Sequence, residues 1–128
     1  MKNIQVIVAC TFVVALTVGG YVYMRVGKGN VVQTLPEPTV VVTRTTTGYE
    51  PKEVTIKKGE VVLWKNESGD YHWPASDLHP THAVYSAFDP LKPIADGQDW
   101  TFQFDQVGTW KYHDHIRANK VGTVTVVE

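Results

Sequence analysis

Residues 48–66 read GYEPKEVTIKKGEVVLWKN, and the alternation within this stretch decides the fold. Val54 and Ile56 face one way while Thr55 and Lys57 face the other, the period of a strand with one buried side. Gly59 then separates that strand from VVLWKN at 61–66. Working outward, Phe102 and Phe104 oppose Thr101 and Gln103 in the same way. Strands are expected at 40–46, 54–57, 61–66, 82–87, 100–104, 109–113 and 122–127, all rich in Val, Thr, Tyr, Phe and Trp, with Gly, Pro, Asn and Asp between them. Seven short strands at this spacing predict an all-β sandwich or barrel. No internal repeat and no sustained helical period interrupts residues 39–128.

The chain has 128 residues, room for one domain of ordinary size. Its formal net charge is -1, with 12 Lys and Arg against 13 Asp and Glu, which excludes the basic excess that drives nucleic-acid binding. The single cysteine, Cys10, excludes an intrachain disulfide framework and any paired-cysteine metal knuckle. Residues 4–24, IQVIVACTFVVALTVGGYVYM, hold 21 positions without a formal charge. As a helix that run measures roughly 30 Å, the thickness of a hydrocarbon core. Residues 1–25 are therefore expected to form an N-terminal transmembrane anchor or signal segment. Residues 26–38, punctuated by Gly27, Gly29, Pro36 and Pro38, are expected to be a flexible linker. The folded domain is 39–128, mildly acidic with 9 basic and 12 acidic residues.

The chemistry lies in the histidines. All five fall between 72 and 115: His72 in DYHWP, His79 and His82 in LHPTH, His113 and His115 in YHDH. A lone histidine is more often a surface or core residue, but clustering changes that balance because neutral imidazole is the commonest protein metal ligand. In an extended strand His113 and His115 share a face and Asp114 points away, which makes a two-point chelate. Pro80 stiffens the loop carrying His79 and His82 and reduces the cost of placing two rings. The candidate metal ligands are His72, His82, His113 and His115, with His79 as a fifth and Asp114 as a carboxylate. Tyr71, Trp73 and Tyr112 are candidates for orienting the imidazoles or excluding water. No nucleophile elbow, HExxH pair or glycine-rich phosphate loop is present.

Three stretches together resemble the cupredoxin family, across residues 39–128. The opening GYEPKEVTIKKGEVVLWKN resembles the family's aromatic-x-Pro, alternating strand, Lys-Gly turn and V-x-x-W-x-N. Residues 82–104, HAVYSAFDPLKPIADGQDWTFQF, are similar to H-x-V, a loop, then Pro-Gly-x-x-F-x-F, with Asp96-Gly97 in place of Pro-Gly. Residues 108–126, GTWKYHDHIRANKVGTVTV, resemble G-x-Y-x-Y-x-C, a loop, then M-x-G-x-V-x-V. The resemblance implies a Greek-key β-sandwich with a copper site at one end. That site is made from a histidine after the Trp-Asn strand and a Cys, a His and often a Met from the closing loop. Here the first histidine is either His72, six residues after Asn66, or His82. The cysteine position falls on Asp114, the downstream histidine near Arg117 and the methionine near Lys120. A blue-copper centre needs the thiolate, so none is expected. Imidazole and carboxylate donors favour Cu(II), with Zn(II) able to use the same atoms. YHDH and HPTH also resemble the histidine motifs of multicopper oxidases.

Together the apolar N-terminal run, the histidine clusters and the resemblance predict an extracytoplasmic, membrane-anchored copper-binding protein with a thiolate-free, histidine-rich site, used for copper binding and handling or for electron transfer, with an enzymatic role left open. The expected partners are the membrane, through the N-terminal helix, and a redox or copper-delivery protein. Two other readings stand beside it. One is a homo-oligomeric small copper oxidase or reductase, in which HDH of one chain meets histidines of the next. The other is a metal-free structural or adhesion sandwich.

Overall fold

A computed structural model describes residues 36–128, together with the backbone of β1 (Ala15–Val18) and β2 (Tyr21–Met24), which pair antiparallel with Ala15 opposite Met24. The remainder of the 1–25 segment expected to span a membrane, and most of the linker, lie outside the described residues. Among the described residues no helix is long and apolar enough to cross a membrane.

The domain beyond is built from eight strands: β3 (Val40–Arg44), β4 (Tyr49–Glu50), β5 (Glu53–Lys57), β6 (Val61–Asn66), β7 (Pro74–Ser76), β8 (Asp99–Gln103), β9 (Gly108–Asp114) and β10 (Arg117–Val127). They form two four-stranded sheets, ordered β5-β10-β9-β7 and β4-β3-β6-β8. The pairs β3·β6 and β5·β10 are parallel and the others antiparallel. The expected alternation is present: Ile56 is buried while Thr55 and Lys57 are exposed, and Val124 and Val126 are buried on the neighbouring β10.

The inner faces meet in an aromatic core. Trp64 on β6 lies edge-on to Tyr112 on β9 at 5.6 Å, crossing from one sheet to the other. Phe88, from the long loop between β7 and β8, fills the space beside Trp64 and Phe104. Each buried Phe contributes roughly 1.5–3 kcal/mol by leaving water. Gly122 stands opposite Tyr112 in the β9·β10 register, and a Cβ there would collide with the tyrosine ring and hydroxyl, so β10 leaves its side-chain space to the ring.

One expected strand is corrected. Residues 82–87 are not extended: His82 adopts a left-handed conformation (φ 52°, ψ 29°) and leads into a 3-10 turn at Ala83–Tyr85. Val84 is exposed while Tyr85 and Phe88 are buried, so the apolar spacing that matters here is three residues, not two. The turn is held by Tyr85 N donating to Ser76 Oγ and by Val84 N donating to Asp77 O. β4 and β7 are too short to leave a periodic trace in the sequence.

Candidate metal centre

β7 pairs with the end of β9, Ala75 opposite His113. Past β7 the chain turns back beside its own partner, with Asp77 N donating to Lys111 O and His82 N to Leu78 O. This fold-back delivers His79 and His82 to the place where β9 presents His113 and, one residue past the strand, His115. Four imidazoles converge there: one nitrogen from each of His79, His82, His113 and His115 lies within 4.8 Å of all the others. His82 Nε2 is 2.9 Å from His115 Nδ1, and His79 Nδ1 is 3.2 Å from His113 Nε2. Adjacent nitrogens around one ion at about 2.0–2.1 Å would stand about 2.8–3.4 Å apart, the spacing of the two closest pairs here.

Two carboxylates set which nitrogens face inward. His82 Nδ1 is 2.5 Å from Asp89 Oδ2, and His113 Nδ1 is 3.0 Å from Asp77 Oδ1. A carboxylate at Nδ1 calls for a proton on that atom, which leaves the Nε2 lone pair for the cluster. Burial pushes the Asp89 carboxyl up, but hydrogen bonds from His82, the Leu91 amide and the Trp73 indole outweigh it and hold it below the usual range. Burial, followed by the rings of His82, His79 and His113, pushes the His115 imidazole down, so it stays neutral and able to ligate at more acidic pH than a free histidine. His82 and His113 are buried, His115 half-buried and His79 exposed, which leaves the cluster reachable from solvent.

The other two candidates are placed elsewhere. Asp114 is fully buried, where its Oδ2 meets Arg44 Nε at 3.3 Å and its Oδ1 accepts from Trp73 N and Ile116 N at 3.0 and 3.1 Å. Both oxygens are therefore committed. His72 is also fully buried, beside Tyr49, whose hydroxyl is 3.5 Å from its Nδ1. Arg117 pairs with Asp70, and Lys120 Nζ donates to Thr47 O. The position that the resemblance gives to the copper thiolate thus holds an internal ion pair. Of the aromatic candidates, Trp73 lies against His115 at 4.7 Å, whereas Tyr112 belongs to the core and Tyr71 is exposed. Asp77 and Asp89 are not legible in the sequence as partners of the imidazoles; the available signal is only that acids stand two residues before His79 and seven after His82.

His72 carries its own consequence. Burial pushes its imidazole down to about 4, with Asp114 opposing and Arg44 adding to the shift. The unfolded chain binds that proton near 6.5 and the folded one does not, so this part of the stability is complete above about pH 6.5 and is lost as the pH falls toward 4. The metal-free domain is expected to lose about 3 kcal/mol over that window. Urea unfolding in chelator at pH 7 and pH 4 measures it; a His72→Gln variant with the same pH slope would assign the loss to other groups.

No protein-family model matches the chain. It is 36% identical over 83 residues to the plastocyanin of Scenedesmus fuscus, an alignment that takes in 61% of this chain and 85% of that protein. It is also 36% identical over 84 residues to the chloroplastic plastocyanin of Tetradesmus obliquus, with 61% of this chain and 57% of the other covered. Among solved structures it resembles the purple cupredoxin from Nitrosopumilus maritimus with a TM-score of 0.61 at 22% identity, over 69% of this chain and 99% of that one, a likeness of fold. An oxidized amicyanin variant matches with a TM-score of 0.59 at 27% identity, over 69% and 81%.

Proposed function

This chain belongs to the cupredoxin family, and we propose that it binds one Cu(II) through His79, His82, His113 and His115, as a copper-binding and copper-handling protein held outside the cytoplasm by its apolar N-terminal segment. The observation that carries the reading is the meeting of four imidazole nitrogens within 4.8 Å from two segments some thirty residues apart. All four come from one chain, which favours this reading over one that completes the site with a second copy. Bound copper would supply a one-electron couple and a Lewis acid; the chain supplies everything else. Asp89 and Asp77 hold the protons of His82 and His113 away from the donor atoms, Trp73 covers His115, and Pro80 stiffens the loop between His79 and His82.

The donor set supports copper over zinc, since Cu(II) exceeds Zn(II) in affinity for a given nitrogen site. It also argues against a blue centre, because none of the described residues is a cysteine. Titrating the full chain in detergent with Cu(II) is expected to saturate at one ion. Electron paramagnetic resonance should then show a wide copper hyperfine splitting with nitrogen superhyperfine lines, and the solution should lack an intense visible band. A chain that takes up no stoichiometric Cu(II), or one that turns intensely blue, would overturn the reading.

A further inference from the structure

We propose that Asp77 and Asp89 tune the four-imidazole site toward the divalent ion, holding copper as Cu(II) against reduction to Cu(I). The inference rests on the site proposed above and concerns two residues that touch its ligands, not the ion.

Four neutral imidazoles bring no charge of their own. Two anions, each on the far side of a donor ring, change that. Asp89 is fixed by three donors: His82 Nδ1 at 2.5 Å on Oδ2, and Trp73 Nε1 and Leu91 N, both at 2.7 Å, on Oδ1. Its side chain is 10% exposed, against 33% for Asp77. Asp77 is positioned by its backbone, which donates to Lys111 O and accepts from Val84 N and Ser76 Oγ. Among the described residues, no carboxylate is hydrogen-bonded to His79 or His115. The negative charge is therefore concentrated behind the two buried ligands, where water screens it least.

A carboxylate hydrogen-bonded to a ligating imidazole raises the basicity of the opposite nitrogen. Coulomb attraction to the carboxylates also scales with the charge on the ion, so Cu(II) gains twice what Cu(I) gains. Two anions match a divalent ion and exceed a monovalent one. The more buried Asp89 should have the greater influence.

Asp89→Asn tests this by removing the charge at nearly constant volume; its single oxygen can serve His82 or the Trp73 and Leu91 donors but not both, so the ratio of the two copper affinities is the readout. In the full chain, Asp89→Asn is expected to weaken Cu(II) binding by about 10–100-fold. Cu(I) binding, measured by competition with a Cu(I) chelator, should weaken far less, so the reduction potential of bound copper rises. Asp77→Asn should shift both quantities in the same direction by a smaller factor. An unchanged ratio of Cu(II) to Cu(I) affinity in Asp89→Asn would overturn the proposal. So would an equal loss of both ions, which is what a merely structural role predicts. Should Asp89→Asn fail to fold, Asp77→Asn decides by the same ratio. Failure of the wild type itself to bind Cu(II) would instead remove the four-imidazole reading.

Discussion

Arg44→Met is expected to destabilise the domain by about 3–5 kcal/mol, because it leaves the Asp114 carboxylate charged, fully buried and unpaired. Set against a total stability of about 5–15 kcal/mol, this is close to unfolding the protein. The ion pair need not be strongly favourable for its rupture to be costly. Both partners have already left water, with side chains 3% and 0% exposed, and much of their mutual attraction only offsets that loss. Arg44 also donates to Thr45 O and lies over the Tyr49 ring at 5.7 Å, so its removal loosens the turn into β4 as well. The second variant that isolates the charge is Arg44→Met with Asp114→Asn. Asparagine keeps an oxygen for Trp73 N and Ile116 N but carries no charge, so the double variant should recover a large part of the loss. Thermal unfolding reads the outcome: at roughly 4 °C or more per kcal/mol for a domain of this size, Arg44→Met should melt at least about 12 °C below wild type. Additive losses in the double variant would mean that the pair is not coupled.

This ion pair also shows where sequence reading stops. That Asp114 stands in place of a cysteine is visible from the motif alone. That Arg44, on another sheet and 70 positions away, supplies the compensating cation is not, because side-chain pairing across a sandwich has no period. The main strands are legible for the opposite reason. Val54 and Ile56, or Val124 and Val126, bury one face of a two-residue repeat, and that repeat is local. His82 marks the intermediate case. Its neighbours Val84 and Tyr85 have strand composition, yet the left-handed backbone at His82 turns the segment into a 3-10 turn that places Tyr85 in the core and the His82 ring in the cluster. Spacing leaves the choice between His72 and His82 open. Both are buried, but only His82 has a nitrogen aimed at the other imidazoles.

His113→Ala is expected to weaken Cu(II) binding by about 100-fold or more, since losing even a hydrogen-bond partner of a metal ligand typically costs about 10–100-fold. His113 is a proposed ligand held in advance: it sits on β9, its side chain is 3% exposed, and Asp77 fixes its ring. Its removal takes one donor of four and leaves Asp77 without its imidazole partner. Stability measures the loss without any assay of activity. At a free Cu(II) concentration about 1,000 times the wild-type dissociation constant, binding raises wild-type stability by about 4.1 kcal/mol. A variant that binds about 100-fold more weakly gains only about 1.4 kcal/mol under the same conditions. The copper-induced rise in melting temperature should therefore shrink to about a third, while the metal-free melting point moves independently. His72→Gln is the contrasting case, because His72 packs against Tyr49 and has no place among the four rings. Its metal-free domain should be altered, yet its copper-induced rise should match that of wild type. Repeating both with Zn(II) asks whether the donors or the metal set the effect, since zinc uses the same nitrogens and differs from copper in affinity. Equal copper-induced shifts in His113→Ala and wild type would show that copper binds elsewhere. A lost shift in His72→Gln would return His72 to the ligand set.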